Sequence, residues 1–247
     1  MALKTTLNHS PNFDSKKRYP KQIKFIIFHY TGMKTESEAF ERLTNIQSEV
    51  SSHYFVKKNG EIINLVPDLY SAWHAGKSSW KNYKSLNQNS IGIEITNPGH
   101  DFGYKKFSKK QISSLLKLSK FLIKRYNIKP KNILGHSDIA PLRKKDPGEK
   151  FPWEYLSKNK VGLWHSLNKQ ILRKNRKIKI SKTEESFFFD NLFKIGYLKK
   201  SLKTQNKAGY FRDMTTAFQR RFRQKLVDSK IDRECLLISE NLIKIYN

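Results

Sequence analysis

Apolar positions along the chain alternate between short strand-length runs and sets spaced by three and four residues. Ile23 to Phe28 is a short apolar run that ends directly in His29-Tyr30-Thr31-Gly32, and it predicts a buried strand. Ala39, Phe40, Leu43, Ile46 and Val50 recur at helical spacing and predict a helix over 36–48. The β-prone runs 53–56 and 61–66 flank Lys57-Lys58-Asn59-Gly60, and Asn-Gly between two such runs predicts a hairpin. Ser90 to Ile95, apolar at alternating positions, predicts another strand. Ser108 and Gln111 form a capping box ahead of Ile112, Leu115, Leu116, Phe121, Leu122 and Tyr126, which mark a long amphipathic helix. Ile133-Leu134 is a brief strand that feeds Gly135-His136-Ser137-Asp138 and the loop running on to Gly148.

The pattern changes after residue 172. Leu172 to Lys182 is basic and poor in core residues, and reads as a linker. Beyond it, 187–198, 214–222 and 233–246 read as amphipathic helices. Residues 1–20, polar with Pro11 and Pro20, read as a lead-in, and no repeat of fixed period is present. The expected organisation is a lead-in over 1–20, an α/β domain over 21–172, a basic linker over 173–184 and a small helical domain over 185–247.

Charge adds one question. Lys and Arg exceed Asp and Glu by 49 to 21, giving a formal net charge of +28 across 247 residues. A polyanionic partner is one reading. Lysine is spread through every segment, however, and no nucleic-acid recognition motif accompanies it, so no nucleic-acid partner is expected. The one cysteine, Cys235, excludes a disulfide or a thiolate zinc site within one chain and reads as a small buried apolar residue. No run of 18 apolar residues exists, and the first ten residues lack the apolar stretch of a signal peptide. A cytoplasmic monomer without a transmembrane segment is the expectation, with the cell envelope as the alternative if the true start lies upstream or export is non-classical.

The chemistry gathers at predicted strand ends. His29 follows one strand, Glu94 closes another, and His136 and Asp146 bracket the loop after a third. Two neutral imidazoles and one carboxylate, with a fourth position left for water, make a catalytic zinc set. Zinc lowers the pKa of such a water to about 7. Glu94 would take that proton, and Lys144 would sit where negative charge develops. Each residue also has a structural reading. His29 can be a surface or packing histidine, Glu94 a buried carboxylate paired with a lysine, and Asp146 the start of a turn before Pro147-Gly148.

Five blocks together resemble the type 2 N-acetylmuramoyl-L-alanine amidases: Phe28 to Gly32, Val50 to Tyr54, Ala72 to Ser78, Asn89 to Glu94, and Gly135 to Gly148 with Phe151-Pro152-Trp153. They occur in the family's order over about 25–165. The resemblance implies a mixed central β-sheet flanked by helices and one Zn2+ per chain. It implies hydrolysis of the amide between the lactyl group of N-acetylmuramic acid and L-alanine of the stem peptide, in cell-wall turnover or recycling. By position, His29, His136 and Asp146 match the metal ligands, Glu94 the catalytic acid/base and Lys144 the transition-state stabiliser. The implied partners are peptidoglycan or muropeptide fragments.

Tyr30, Trp73, His74 and Asn89 are assigned to the substrate groove, with Trp80 as a further aromatic candidate. For the tryptophans, core packing is the alternative. His53 reads as support for the site or packing. Phe193 to Tyr197, Ala217 to Arg223, Val227-Asp228 and Ile231-Asp232 resemble the three-helix peptidoglycan-binding module of AmiD-like members of the family. Ser229 and Lys230 depart from that pattern, as does a lysine- and asparagine-rich insert near 199–207. A phage-type lytic amidase and a peptidoglycan-binding protein without turnover are the competing readings.

Overall fold

The structure is a computed structural model and describes residues 5–199 and 207–246, so the 199–207 insert lies almost wholly outside the described residues. Six strands form one mixed sheet: β1 (Thr6–Leu7), β2 (Phe25–Tyr30), β3 (Tyr54–Val56), β4 (Ile62–Asn64), β5 (Ser90–Ile95) and β6 (Ile133–Gly135). Their spatial order is β1-β4-β3-β5-β2-β6, and only the β3–β4 hairpin is antiparallel. Two ribbons, Phe13–Asp14 with Ser71–Ala72 and Ser79–Trp80 with Tyr83–Lys84, lie outside this sheet.

Alternation along β2 explains the layers. Ile26 and Phe28 pack with Ile91, Ile93 and, from helix α2 (Lys109–Tyr126), Leu115, Leu118 and Leu122. Phe25 and Ile27 point the other way into a core shared with Phe188, Leu192, Phe218 and Leu242. A strand covered on both faces has to be apolar at nearly every position, as β2 is. Those last four residues come from α6 (Lys182–Ile195), α7 (Lys207–Phe222) and α8 (Arg233–Tyr246). The carboxyl-terminal helices therefore form one of the two layers over the sheet. The remaining helices are short: α1 (Glu36–Thr44), α3 (His136–Ile139), α4 (Trp153–Lys158) and α5 (Lys169–Asn175).

Several boundaries differ from the sequence expectation. Helix α1 stops at Thr44 instead of reaching 48, because Asn45 leaves helical geometry and its side chain accepts the Gln47 amide to start a separate turn. Ile46, counted as part of the apolar stripe, is exposed. Helix α6 begins five residues early, at a capping box between Ser181 and Glu184. It ends where Gly196, at φ +144°, leaves room for the Trp80 ring that a Cβ would meet at 2.6 Å.

The basic stretch 173–184 holds the end of α5 and the start of α6. Between them Arg176 makes a bidentate pair with Glu234 at 2.6 and 2.7 Å, so this segment is tied to α8. The lead-in is also built into the fold, with β1 paired to β4 and the Arg18 side chain buried. No helix among the described residues is long and apolar enough to cross a membrane.

Candidate metal centre

Three neighbouring parallel strands, β5, β2 and β6, point their carboxyl ends at one place, where open α/β sheets characteristically bind ligands. His29 on β2 is in register with Glu94 on β5, so the two side chains stand side by side. His136 follows β6 directly as the first residue of α3. The loop after α3 returns Asp146 to it, closed by the Ser137 amide donating to the Asp146 carbonyl at 2.8 Å. All three of His29, His136 and Asp146 are buried. His29 Nδ1 and His136 Nδ1 lie 2.9 Å apart, and each is 3.0 Å from Asp146 Oδ2.

The outer hydrogen bonds decide what these atoms present to one another. His136 Nε2 lies 3.1 Å from the Ala75 carbonyl, which can only accept, and the longer 3.3 Å approach of Arg143 Nη2 comes from a group already donating to the Ala75 and Lys77 carbonyls, so the ring proton is assigned to Nε2. For His29 the chain is longer. Its Nε2 faces His74 Nδ1 at 3.0 Å, His74 Nε2 faces Ser90 Oγ at 3.1 Å, and Ser90 Oγ donates to the Leu86 carbonyl at 2.6 Å. Since that carbonyl accepts, donation runs outward from the site in one consistent order: His29 Nε2–H to His74, His74 Nε2–H to Ser90, and Ser90 O–H to Leu86. Both Nδ1 atoms are thereby left as lone pairs, and they meet a carboxylate oxygen. Three acceptors converging in a buried place can hold a cation between them. A nitrogen-nitrogen-oxygen donor set of this kind suits zinc, and the two outer bonds are the support that metal-bound histidines normally carry.

Electrostatics favour the same protonation states. Burial, reinforced by the neighbouring His136, lowers His29 to about 4, so the imidazole is neutral near pH 7. Burial lowers His74 well below the ordinary histidine value, with His29 adding to it. Burial works to raise Asp146, but the adjoining His136 and His29 rings outweigh it and hold the carboxyl well below its usual range, so it is an anion. Glu94 goes the opposite way. Burial and then the Asp146 charge push it well above the usual range, against the pull of Lys144 and Arg42. Its Oε2 is buried without a hydrogen-bond partner, and its Oε1 is 4.0 Å from His29 Nδ1. A carboxyl with a raised proton affinity beside a metal-ligand set is suited to take and return a proton.

The group opens into a cleft of about 320 Å³, whose lining includes Tyr30, Trp73, His74, Glu94, Lys144 and Asp146. Tyr30 and Trp73, placed in the groove by sequence, are both there. The Trp73 indole is steadied by donating to Asp14 Oδ1 at 2.8 Å. His74 reaches the cleft wall, yet both ring nitrogens are already used by His29 and Ser90, which leaves it as a support for His29 and no polar contact for a ligand. Gly92 makes this possible, because a Cβ there would lie 2.3 Å from the His74 ring.

Two groove assignments are corrected. Asn89 precedes β5 at the end of the strand opposite Glu94 and donates to the Gln22 carbonyl, since its role is to bring the chain into the sheet. Trp80 is fully buried against Tyr197, which is core packing. His53 is structural: the Gly92 amide donates to its Nδ1 at 3.0 Å, joining β3 to β5.

The structure also brings in residues that sequence reading left out. Arg143 donates to the Ala75 and Lys77 carbonyls, so it braces the loop that receives His136. Its place in the loop sequence gave no hint of those partners. The Tyr30 hydroxyl meets His100 Nδ1 at 2.9 Å, and His100 Nε2 meets Glu149 at 3.0 Å, fixing one wall of the cleft from two distant segments.

Comparison with known proteins gives a consistent answer. The family model described as N-acetylmuramoyl-L-alanine amidase matches residues 19–149. N-acetylmuramoyl-L-alanine amidase AmiD of Escherichia coli is 35% identical over 240 residues, which is 92% of this chain and 84% of that protein. The 1,6-anhydro-N-acetylmuramyl-L-alanine amidase AmpD of Haemophilus influenzae is 33% identical over 167 residues, 60% of this chain and 88% of its own length. Among solved structures, E. coli AmiD in complex with anhydro-N-acetylmuramic acid-L-Ala-D-gamma-Glu-L-Lys is similar with a TM-score of 0.79 at 34% identity, covering 94% of this chain and 92% of that one. AmpDh3 of Pseudomonas aeruginosa in complex with anhydromuramic pentapeptide is similar with a TM-score of 0.79 at 30% identity, covering 96% and 97%.

Proposed function

The chain belongs to the N-acetylmuramoyl-L-alanine amidase family, and from that membership we infer that it hydrolyses the amide joining the lactyl group of N-acetylmuramic acid, or its 1,6-anhydro form, to L-alanine of the peptidoglycan stem peptide. Its place is in cell-wall turnover or recycling. The observation that carries the catalytic reading is the convergence of His29 Nδ1, His136 Nδ1 and Asp146 Oδ2 next to the unpartnered Glu94 Oε2. One zinc ion bound there would supply a Lewis acid and an acidified water.

The chain's own groups do the rest. Glu94 Oε2 accepts the proton of the attacking water and delivers it to the L-alanine nitrogen as the carbon–nitrogen bond breaks. Lys144, which lines the cleft, donates from Nζ to the carbonyl oxygen as negative charge builds on it. Tyr30 and Trp73 offer aromatic faces to sugar and peptide.

Product analysis tests this reading. Anhydro-N-acetylmuramoyl tripeptide should yield the sugar with a free lactyl carboxylate and a tripeptide with a free L-alanine amine, their summed mass larger than the substrate by one water. Cleavage at any other bond, or an intact substrate, would overturn it.

The histidine relay makes a second prediction. His74→Leu keeps volume but removes the acceptor for His29 Nε2–H, so zinc affinity measured by chelator competition should fall about 10- to 100-fold. In His74→Asn the amide oxygen stands near the place of Nδ1 and should restore most of that loss. Wild-type affinity in the leucine variant would remove His74 from this role.

A further inference from the structure

The carboxyl-terminal helices reach the metal centre through one buried carboxylate. Asp138 lies two residues after His136 on the short helix α3 and is 1% exposed. Its Oδ2 accepts from the Gly135 amide at 2.7 Å and from Arg221 Nη1, and its Oδ1 accepts from the Tyr197 hydroxyl at 2.9 Å. Gly135 and Asp138 therefore grip His136 from both sides. The other two donors come from the helical layer, Tyr197 from just after α6 and Arg221 from α7.

Arg221 does more than neutralise the carboxylate. Its Nη2 donates to the Ile133 carbonyl at 2.9 Å, so one guanidinium ties together the strand that delivers His136 and the helix turn that follows. The guanidinium also lies 4.2 Å over the Trp153 ring and is 1% exposed, so its direction is fixed on all sides. Tyr197 in turn packs on Trp80 at 5.0 Å, in the ribbon that follows the Ala75–Lys77 loop bracing His136. Adhesion alone does not call for such an arrangement. Two well-packed apolar side chains would hold helices to a sheet as firmly as a buried ion pair, whereas an ion pair bonded through both Arg221 Nη atoms restricts the geometry of the groups it joins.

We propose that Arg221 and Tyr197 are positioning residues for the metal ligand His136, acting through Asp138, so that the helical unit is a working part of the metal centre. This rests on the zinc reading given above. Removing the Arg221 charge leaves Asp138 buried with a carboxylate oxygen short of a donor. The carboxylate then has to turn toward another donor, which releases the Gly135 amide and loosens the first turn of α3.

The test measures zinc affinity by chelator competition, and the Tm of the zinc-free protein, on the full chain and three variants. Arg221→Met should weaken zinc binding about tenfold or more, and Tyr197→Phe, which removes only a hydroxyl, about threefold. Phe189→Leu is the control. It loosens the contact of α6 with Phe211 on α7 and makes no bond to Asp138, so it should lower Tm and leave zinc affinity unchanged. If Arg221→Met does not fold, Tyr197→Phe against Phe189→Leu carries the comparison. Wild-type zinc affinity in Tyr197→Phe and Arg221→Met, or an equal loss in Phe189→Leu at matched Tm, would overturn the proposal. A wild-type chain that binds no zinc would instead overturn the proposed function, which separates the two failures.

Discussion

Glu94→Ala should bind zinc as tightly as the unaltered chain and release stem peptide about 10²- to 10⁴-fold more slowly, the range a positioned acid/base supplies. The separation follows from the geometry. Glu94 Oε1 stays 4.0 Å from His29 Nδ1 while Asp146 Oδ2 approaches to 3.0 Å, so Glu94 stands beside the ligand set and outside it. Burial and the Asp146 charge raise its proton affinity, which is what a group that must hold a proton between two steps requires. Asp146→Ala should behave differently. It removes the single anion that both Nδ1 atoms face, so zinc and turnover should be lost together. A Glu94→Ala enzyme of normal rate would remove Glu94 from the mechanism, and an Asp146→Ala protein that kept its zinc would remove Asp146 from the ligand set.

The candidate catalytic group is legible because it sits where sequence patterns are most informative. β2, β5 and β6 are short apolar runs, and the polar residues that end or follow them, His29, Glu94 and His136, had to emerge at one edge if the strands were parallel neighbours. The Asn-Gly turn announced the hairpin, and the spacing of Ser108 and Gln111 announced α2. Asn89 could have been placed better from the same reasoning. Five residues separate it from Glu94 along one extended strand, roughly 16 Å, so it could not share a groove with the metal centre.

Other features depend on meetings between distant segments. Nothing near His74 in sequence says that its ring will fill the space over Gly92 and accept from His29, because that contact spans 45 residues. Arg221 and Asp138 are 83 residues apart, and one arginine among several on a basic helix resembles many others in a chain of net charge +28. The basic stretch at 173–184 reads as a linker because its composition is polar, and Glu234 and Asp232 supply the partners that hold it down. Composition shows that a segment lacks core residues. It does not show which acids will meet its bases.

Metal removal should produce the largest effect of all. With zinc absent, His29, His136 and Asp146 present only uncompensated acceptors, and Glu94 has no acidified water from which to take a proton. Turnover should fall to background, far beyond the loss from any single supporting residue. The central claim is tested most directly by stripping the metal with a chelator, removing the chelator, and titrating zinc back while following stem-peptide release from anhydro-muropeptide. Activity should vanish in the stripped protein and return in proportion to added zinc, levelling at one equivalent per chain. Full stem-peptide release from protein shown to be metal-free would contradict it.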